Sequence, residues 1–265
     1  MPSSRRPHAA AYPTAYAAAG AALTLLLTSL LTACGTGAQA GGRQSGEAVT
    51  VSEAPGTSHT TTPERPREIP ALGPKTRSRI PASSTQALVV TGEAPDANRA
   101  TAMLYTRKSP SDASGWRPAS DPWPAHNGLR GWTSRHVQGD RKSPVGVYGL
   151  TDAGGLLPDP GTRFPYDQGP AFTARGTGFK GEPLAGSFDY VIAINYNREP
   201  GRTPLDWTRP LGAGRGGGIW LHVDHGGPTQ GCVSLPKARM KELLRSLDPA
   251  RKPVVVMGDA GALGA

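Results

Sequence analysis

Cys232 and His222 are the two residues of this chain whose types and spacing could support covalent chemistry. His222 ends a short apolar segment, and Cys232 follows ten positions later, after a stretch rich in Gly and Pro. A cysteine becomes a strong nucleophile when a neighbouring imidazole accepts its proton. The pattern therefore allows two interpretations, a nucleophile with its base or a buried structural cysteine.

Neighbouring residues leave further assignments open. His225 could serve as the base instead of His222, or the two histidines could begin a zinc site with Asp224 and Cys232. Asp224 could orient a histidine or could remain a solvated loop carboxylate. We expect no metal, because a zinc site needs more ligands than this pair supplies. A helix beginning just after Cys232 would lower the pKa of its thiol through the positive field at its N-terminus.

The elements that must position these residues are mostly strands. Short apolar runs separated by Gly and Pro turns predict strands at 87–90, 100–105, 145–150, 188–196, 218–222 and 253–257. Apolar residues at spacings of three and four, followed by Asp248 and Pro249, predict one helix over 236–247. The expected fold is a mainly β domain with this helix beside the site.

Composition excludes several classes of protein. The 265 residues include 35 Gly and 27 Pro without a three-residue period, which excludes a coiled coil and collagen. Two cysteines cannot build a disulfide framework. The net charge is +9, but no basic run or aromatic-rich basic patch stands out. We therefore expect no nucleic-acid partner.

The N-terminal residues 1–34 have the features of an export signal. Arg5 and Arg6 precede a long apolar run, and small residues lead to Cys34. The ending Leu31-Thr32-Ala33-Cys34 resembles the lipobox of bacterial lipoproteins, which implies that Cys34 is lipidated and becomes the first mature residue. The alternative is an uncleaved transmembrane anchor, because the apolar run is nearly long enough to span a bilayer.

Composition changes again along the next part of the chain. Residues 35–85 are rich in Gly, Ser, Thr and Pro and poor in bulky apolar residues, which predicts a disordered tether. Residues 86–265 then form one predicted domain.

Two motifs in this domain resemble those of the L,D-transpeptidase catalytic domain, or YkuD, family. The segment from Gly139 to Tyr148 is similar to the family's Gly-Asp-x-x-Thr-Pro-x-Gly-x-Phe motif. His222 followed by Thr229-Gln230-Gly231-Cys232 is similar to its His and Ser/Thr-His-Gly-Cys motif. The resemblance implies a β-sandwich-like catalytic domain and covers nearly the whole of residues 86–265.

The resemblance also implies a mechanism. Cys232 would attack the carbonyl that links the third residue of a peptidoglycan stem peptide to D-Ala, and His222 would move the protons. The Gly231 and Cys232 N–H groups would stabilise the oxyanion, and the carbonyl of Val223 would orient His222. An amine of a second stem would then accept the acyl group and form a 3-3 cross-link, without a cofactor.

The expected protein is therefore a monomeric cysteine acyltransferase with peptidoglycan stem peptides as partners. Lipidated Cys34 would hold it on the outer face of the cytoplasmic membrane, facing the cell wall. Thr229, Gln230 and His225 are the expected substrate-binding residues. Two alternatives remain, an L,D-carboxypeptidase acting through the same thioester and an inactive wall-binding lipoprotein.

The second motif departs from the family's common pattern. Only Val223 to Pro228 separate His222 from Thr229, a shorter loop than usual, and Gln230 replaces the His before Gly-Cys. Ser234 stands where an Arg is often found. These departures keep the nucleophile and base and concern the part of the cleft that selects the substrate.

Overall fold

The computed structural model describes residues 67–265, which form a mainly β structure with a few helices. The strands are β1 (Gln86–Gly92), β2 (Arg99–Thr106), β3 (Arg117–Pro118), β4 (Trp123–His126), β5 (Trp132–Thr133), β6 (Ser143–Pro144), β7 (Gly146–Gly155), β8 (Tyr166–Gln168), β9 (Val191–Ile194), β10 (Trp220–Val223), β11 (Val233–Leu235) and β12 (Val254–Asp259). The α-helices are α1 (Pro74–Arg77), α2 (Lys237–Ser246) and α3 (Ala260–Leu263).

The main sheet closes on itself as a mixed barrel of eight strands. Its order is β1-β12-β7-β9-β10-β11-β4-β2, and the pairing of β2 with β1 completes the circuit. The β1–β12 and β10–β11 pairs are parallel, and the others around the circuit are antiparallel. The mainly β prediction is confirmed, and closure leaves none of these eight strands with a free edge.

The barrel interior holds the main hydrophobic core. Alternate residues of the strands point into it, among them Leu221 and Val223 of β10, whereas Trp220 belongs to a smaller cluster on the opposite face. This two-residue alternation follows from the pleat of a strand. This smaller cluster consists of Phe172, Val191, Ala193 and Trp220, and Cys232 packs against it.

The predicted helix corresponds to α2, which follows β11 and closes over the main core. Its residues Met240, Leu243 and Leu244 are fully buried, as expected for an amphipathic stripe. Each of the six predicted strands also overlaps an observed one. The strands β4 and β11 were not predicted, because each is too short for alternation to be recognised.

The N-terminal boundary of the packed domain differs from the sequence prediction. Residues 67–85, which were assigned to the tether, pack against the barrel: Ile69 and Leu72 are buried with Val254 and Leu263. The Gly73 N–H donates to the Leu263 carbonyl at 2.8 Å. Two buried apolar side chains hold this otherwise polar segment against the barrel. The prediction that residues 67–85 belong to a disordered tether is therefore corrected.

Other predictions fall on residues that the structure does not describe. The signal segment, Cys34 and the tether up to residue 66 lie outside residues 67–265. Within the described part of the chain, no helix combines the length and apolar character needed to cross a bilayer.

Candidate active site

His222 and Cys232 are brought together by the parallel pairing of β10 with β11. In this pairing His222 lies opposite Ser234, and Leu221 lies opposite Val233. Cys232 directly precedes β11, so its sulfur comes to the backbone of Trp220, whose N–H donates to Sγ at 3.4 Å. The side chains of His222 and Cys232 line the same cleft of about 320 Å³.

The Cys232 thiol is held in its neutral form. Burial raises its pKa to about 11, although the Trp220 N–H acts in the opposite direction. The thiol donates to the Gly218 carbonyl at 3.6 Å. The predicted lowering of this pKa by a helix N-terminus is wrong, because β11 separates Cys232 from α2, which begins at Lys237.

His222 is buried and is also neutral. Burial lowers the pKa of its imidazole to about 4, and the Val223 carbonyl only partly offsets this effect. Nδ1 lies 2.9 Å from the Val223 oxygen, so the neutral ring carries its proton there and Nε2 holds the lone pair. Phe188 packs edge-on against the imidazole, with the two ring centroids 5.4 Å apart, and helps to fix its orientation. The arrangement supplies a buried base with a fixed orientation.

The loop before Cys232 is held by the Thr229 side chain. Thr229 Oγ1 donates to the Cys232 carbonyl at 2.6 Å and accepts from the Gly231 N–H at 3.1 Å. The Gly231 N–H, the predicted oxyanion donor, is thus hydrogen-bonded within the loop, and its oxyanion role stays a prediction. The Cys232 N–H has no hydrogen-bond partner among residues 67–265 and is the donor available to a substrate oxygen.

Gly231 is required for its backbone conformation. Its φ is +154°, and a Cβ at this position would lie 3.0 Å from the Lys142 carbonyl oxygen. A side chain here would therefore push the loop away from the segment that supports it.

The first sequence motif is that supporting segment. Asp140 accepts hydrogen bonds from the N–H groups of Val137 and Lys142 at 3.0 and 2.9 Å, which closes a tight turn. Buried Ser143 then accepts from the Gly128 N–H at 2.9 Å and donates to the Gly231 carbonyl at 2.7 Å. The motif thus shapes the loop next to Cys232 rather than facing the cleft.

Thr229, Gln230 and His225, the residues expected to bind substrate, all line the cleft with His222 and Cys232. The remaining lining residues are small or apolar, and they come mainly from the segment 174–188: Ala174, Thr177, Gly178, Phe179, Leu184, Ser187, Phe188, Gly218 and Pro228. Thr229 is buried and engaged with the loop backbone, whereas Gln230 is exposed.

His225 has a partner that the sequence did not indicate. Its Nδ1 lies 3.2 Å from Glu182 Oε1, and its ring stacks nearly parallel on His222, with centroids 5.8 Å apart. Glu182 lies 43 positions earlier in a Gly-rich segment without a recognisable motif. Only the folded chain brings the two together.

Asp224 takes part in a separate cluster. Its Oδ1 accepts from Ser234 Oγ at 2.7 Å and lies 2.8 Å from His126 Nδ1. Burial acts to raise the pKa of Asp224, but these two contacts and the Gly226 N–H outweigh it and lower the pKa to about 2. Asp224 is therefore an ionised, partly buried anchor of this cluster rather than a solvated loop residue.

The described residues contain no group of three or more His, Cys, Asp and Glu side chains that could hold a metal ion. The cleft instead combines a thiol, a neutral oriented imidazole and a backbone N–H. Such a set can carry out acyl transfer through a thioester.

Comparison with known proteins agrees with this chemistry. Neither the curated proteins nor the solved structures gave a match to the chain. Residues 89–256 match the model of the YkuD family, described as the L,D-transpeptidase catalytic domain. This match spans more than half of the chain and includes the Gly139–Tyr148 motif, His222 and Cys232. The chain therefore belongs to the L,D-transpeptidase catalytic domain family, a family of peptidoglycan enzymes.

Proposed function

We propose that this protein is a peptidoglycan L,D-transpeptidase that forms a thioester between Cys232 and a tetrapeptide stem. The observation that carries the proposal is the shared cleft, in which Cys232 and a neutral His222 lie together within the family's domain. An inactive wall-binding protein would have no need to keep both residues in this arrangement.

The first half-reaction breaks the bond between the third stem residue and D-Ala. As the substrate carbonyl approaches, Nε2 of His222 takes the thiol proton and Sγ attacks the carbonyl carbon. The Cys232 N–H donates to the developing oxyanion. His222 then returns the proton to the D-Ala amine, which leaves, and the acyl group stays on the sulfur as a thioester.

The second half-reaction restores the cysteine. A side-chain amine of another stem attacks the thioester carbonyl and gives its proton to His222, and the sulfur leaves and regains that proton. The new amide is a 3-3 cross-link. Attack by water at the same thioester would release a tripeptide stem instead, which is the L,D-carboxypeptidase reaction.

The proposal extends to where the protein acts. The lipobox supports lipidation of Cys34, with removal of residues 1–33 and anchoring of the chain outside the cytoplasmic membrane. The segment between Cys34 and residue 67 would then set the reach of a monomeric domain into the cell wall. Metabolic labelling with a lipid analogue, compared between the wild type and Cys34→Ala, tests the anchor independently of the enzyme activity.

Intact-mass spectrometry tests the reaction. The full-length protein in detergent is mixed with a tetrapeptide stem and, separately, with a carbapenem as an acylating probe. We expect a covalent adduct that is absent in Cys232→Ala and retained in Cys34→Ala, the matched control for the other cysteine. Released products then separate cross-linked dimers from hydrolysed stems. Folded protein that forms no adduct with either compound would contradict the proposal.

A further inference from the structure

His225 and Glu182 form a side-chain pair at the wall of the cleft, and the proposed reaction steps do not use it. His225 lines the cleft, and its Nδ1 lies 3.2 Å from Glu182, which does not line it. The side chains of both residues are largely buried, with exposed fractions of 5% for His225 and 12% for Glu182. Nε2 of His225 has no hydrogen-bond partner among residues 67–265 and is left for a ligand.

The surrounding chain is shaped around the Glu182 carboxylate. A Cβ added at Gly227 would lie 1.9 Å from Glu182 Oε1, and one added at Gly178 would lie 2.1 Å from the same atom. The Lys180 N–H donates to Glu182 Oε2 at 2.7 Å. The two glycines therefore leave the space that the carboxylate occupies. Oε1 lies against His225 and Oε2 accepts from the Lys180 N–H, so the carboxylate can hold His225 in one orientation.

The charge balance of the cleft indicates what this pair would bind. Of the cleft-lining side chains, only the two histidines can become cationic, and the low pKa of His222 keeps it neutral. Burial alone would raise the pKa of Glu182, but backbone N–H groups and His225 together lower it, so Glu182 is ionised at neutral pH. When His225 is protonated, one of its N–H groups donates to Glu182, and the other, at Nε2, can donate to a second carboxylate.

We propose that His225, positioned by Glu182, binds a carboxylate of the stem peptide and thereby selects the donor substrate. The proposal rests on the proposed function, because it assumes a tetrapeptide donor. Such a donor offers two carboxylates, one on the terminal D-Ala and one on the free end of a diamino acid at position three. Glu182 is a positioning residue that acts through His225.

Arg141 is the competing cation for this role. Its guanidinium lies 5.4 Å from the ring centroid of Phe179, which lines the cleft, and its side chain is exposed. An exposed guanidinium is held less firmly than the buried His225, which contacts both Glu182 and His222. The experiment nevertheless compares the two directly.

The test measures kcat/KM for acylation of the full-length protein with three substrates. They are the tetrapeptide acid, its D-Ala amide and the analogue amidated at the free carboxylate of the diamino acid. The variants are His225→Gln, Glu182→Gln and Arg141→Gln. His126→Gln is the matched control, since it removes a histidine–carboxylate pair that does not line the cleft. Thermal melting of each variant confirms that it is folded.

The wild type should prefer the acid over one of the amides by about 10- to 100-fold, the range for a hydrogen bond between charged groups. The amide that is acylated more slowly than the acid shows which of the two carboxylates His225 binds. The His225→Gln and Glu182→Gln variants should lose the preference for the acid but still be acylated by that amide. The His126→Gln variant should keep the preference for the acid.

Three results would overturn the assignment. Equal rates for all three substrates in the wild type would show that no carboxylate is bound there. An equal loss on all substrates in His225→Gln would indicate a base or a purely structural residue. Loss of the preference in Arg141→Gln alone would move the role to Arg141. Absence of any acyl-enzyme in the wild type would instead contradict the proposed function itself.

Discussion

The hydroxyl of Ser143 donates a 2.7 Å hydrogen bond to the carbonyl of Gly231, 88 positions further along the chain. It therefore joins the two sequence motifs directly: one supplies the nucleophile, and the other holds the backbone next to it. Because Ser143 also accepts from the Gly128 N–H, one buried hydroxyl fixes two backbone segments.

Ser143→Ala should reduce both stability and acylation. The substitution leaves the Gly128 N–H and the Gly231 carbonyl without their buried partner, at a cost of about 2–4 kcal/mol in the free energy of unfolding. Urea denaturation measures this loss, and acyl-adduct formation should slow because the loop before Cys232 is no longer fixed. Ser83→Ala, at an exposed position, is the control and should change neither quantity. Unchanged stability in Ser143→Ala would contradict this role.

Alkylation of Cys232 should behave as that of a neutral thiol. Its pKa is raised to about 11, so the thiolate forms only as the pH rises toward that value. The rate of reaction with iodoacetamide, measured in Cys34→Ala so that Cys232 is the one thiol present, should therefore keep rising above pH 9. A rate that levels off near neutral pH would show a resting thiolate–imidazolium pair instead.

The acid limit of acylation should lie well below the ordinary pKa of histidine. His222 accepts a proton only when it is neutral, and its pKa is lowered to about 4. With the D-Ala amide as substrate, kcat/KM should stay high as the pH falls through 6.5 and decline only as it approaches about 4. A decline centred near 6.5 would mean that the working base is a solvated imidazole.

Gly231→Ala should impair the site more than a glycine replacement elsewhere. Alanine is strained at a φ of +154°, and its Cβ would press on the Lys142 carbonyl. We expect a loss of about 1–3 kcal/mol in the free energy of unfolding and slower adduct formation. Gly169→Ala is the control, because no atom lies within 4 Å of its added Cβ. Equal effects of the two substitutions would refute the argument.

Ile69→Ala should show that the segment 67–85 belongs to the folded domain. Ile69 is 2% exposed and packs with Leu72 and Leu263. Its truncation should lower the free energy of unfolding by about 2–4 kcal/mol, whereas Leu211→Ala, at a side chain that is 62% exposed, should have little effect. A negligible change in the free energy of unfolding for Ile69→Ala would mean that this segment is not part of the folded domain.

The strands and helix with long apolar patterns could be predicted from the sequence. The strand around Val191 is apolar on both faces, because one face points into the barrel core and the other packs in the smaller cluster with Trp220. By contrast, β11 has only three residues, and its strand character comes from pairing with β10 and β4. The helix itself was placed correctly, but because β11 was missed, the helix N-terminus was expected to act on the Cys232 thiol.

The same distinction applies to the site. Cys232 and His222 are close in sequence, so an assignment of both to one cleft needed only a turn between them. The Glu182–His225 contact depends instead on where a Gly-rich segment folds back, and no local sequence pattern indicates that position. The hydrogen bond from the Gly231 N–H to the Thr229 hydroxyl is likewise a feature that no sequence pattern indicates.

The position of β12 in the barrel has a consequence for how the chain can fold. β12 is near the end of the chain, yet it lies between β1, to which it is parallel, and β7. Until residues 254–259 have been synthesised, β1 and β7 each lack the strand that pairs with one of their edges, and the circuit stays open. Closing it joins segments more than 160 residues apart, which is slow because of the loop entropy involved. A growing chain should therefore remain unfolded, and able to pass through a narrow channel, until its last strand appears.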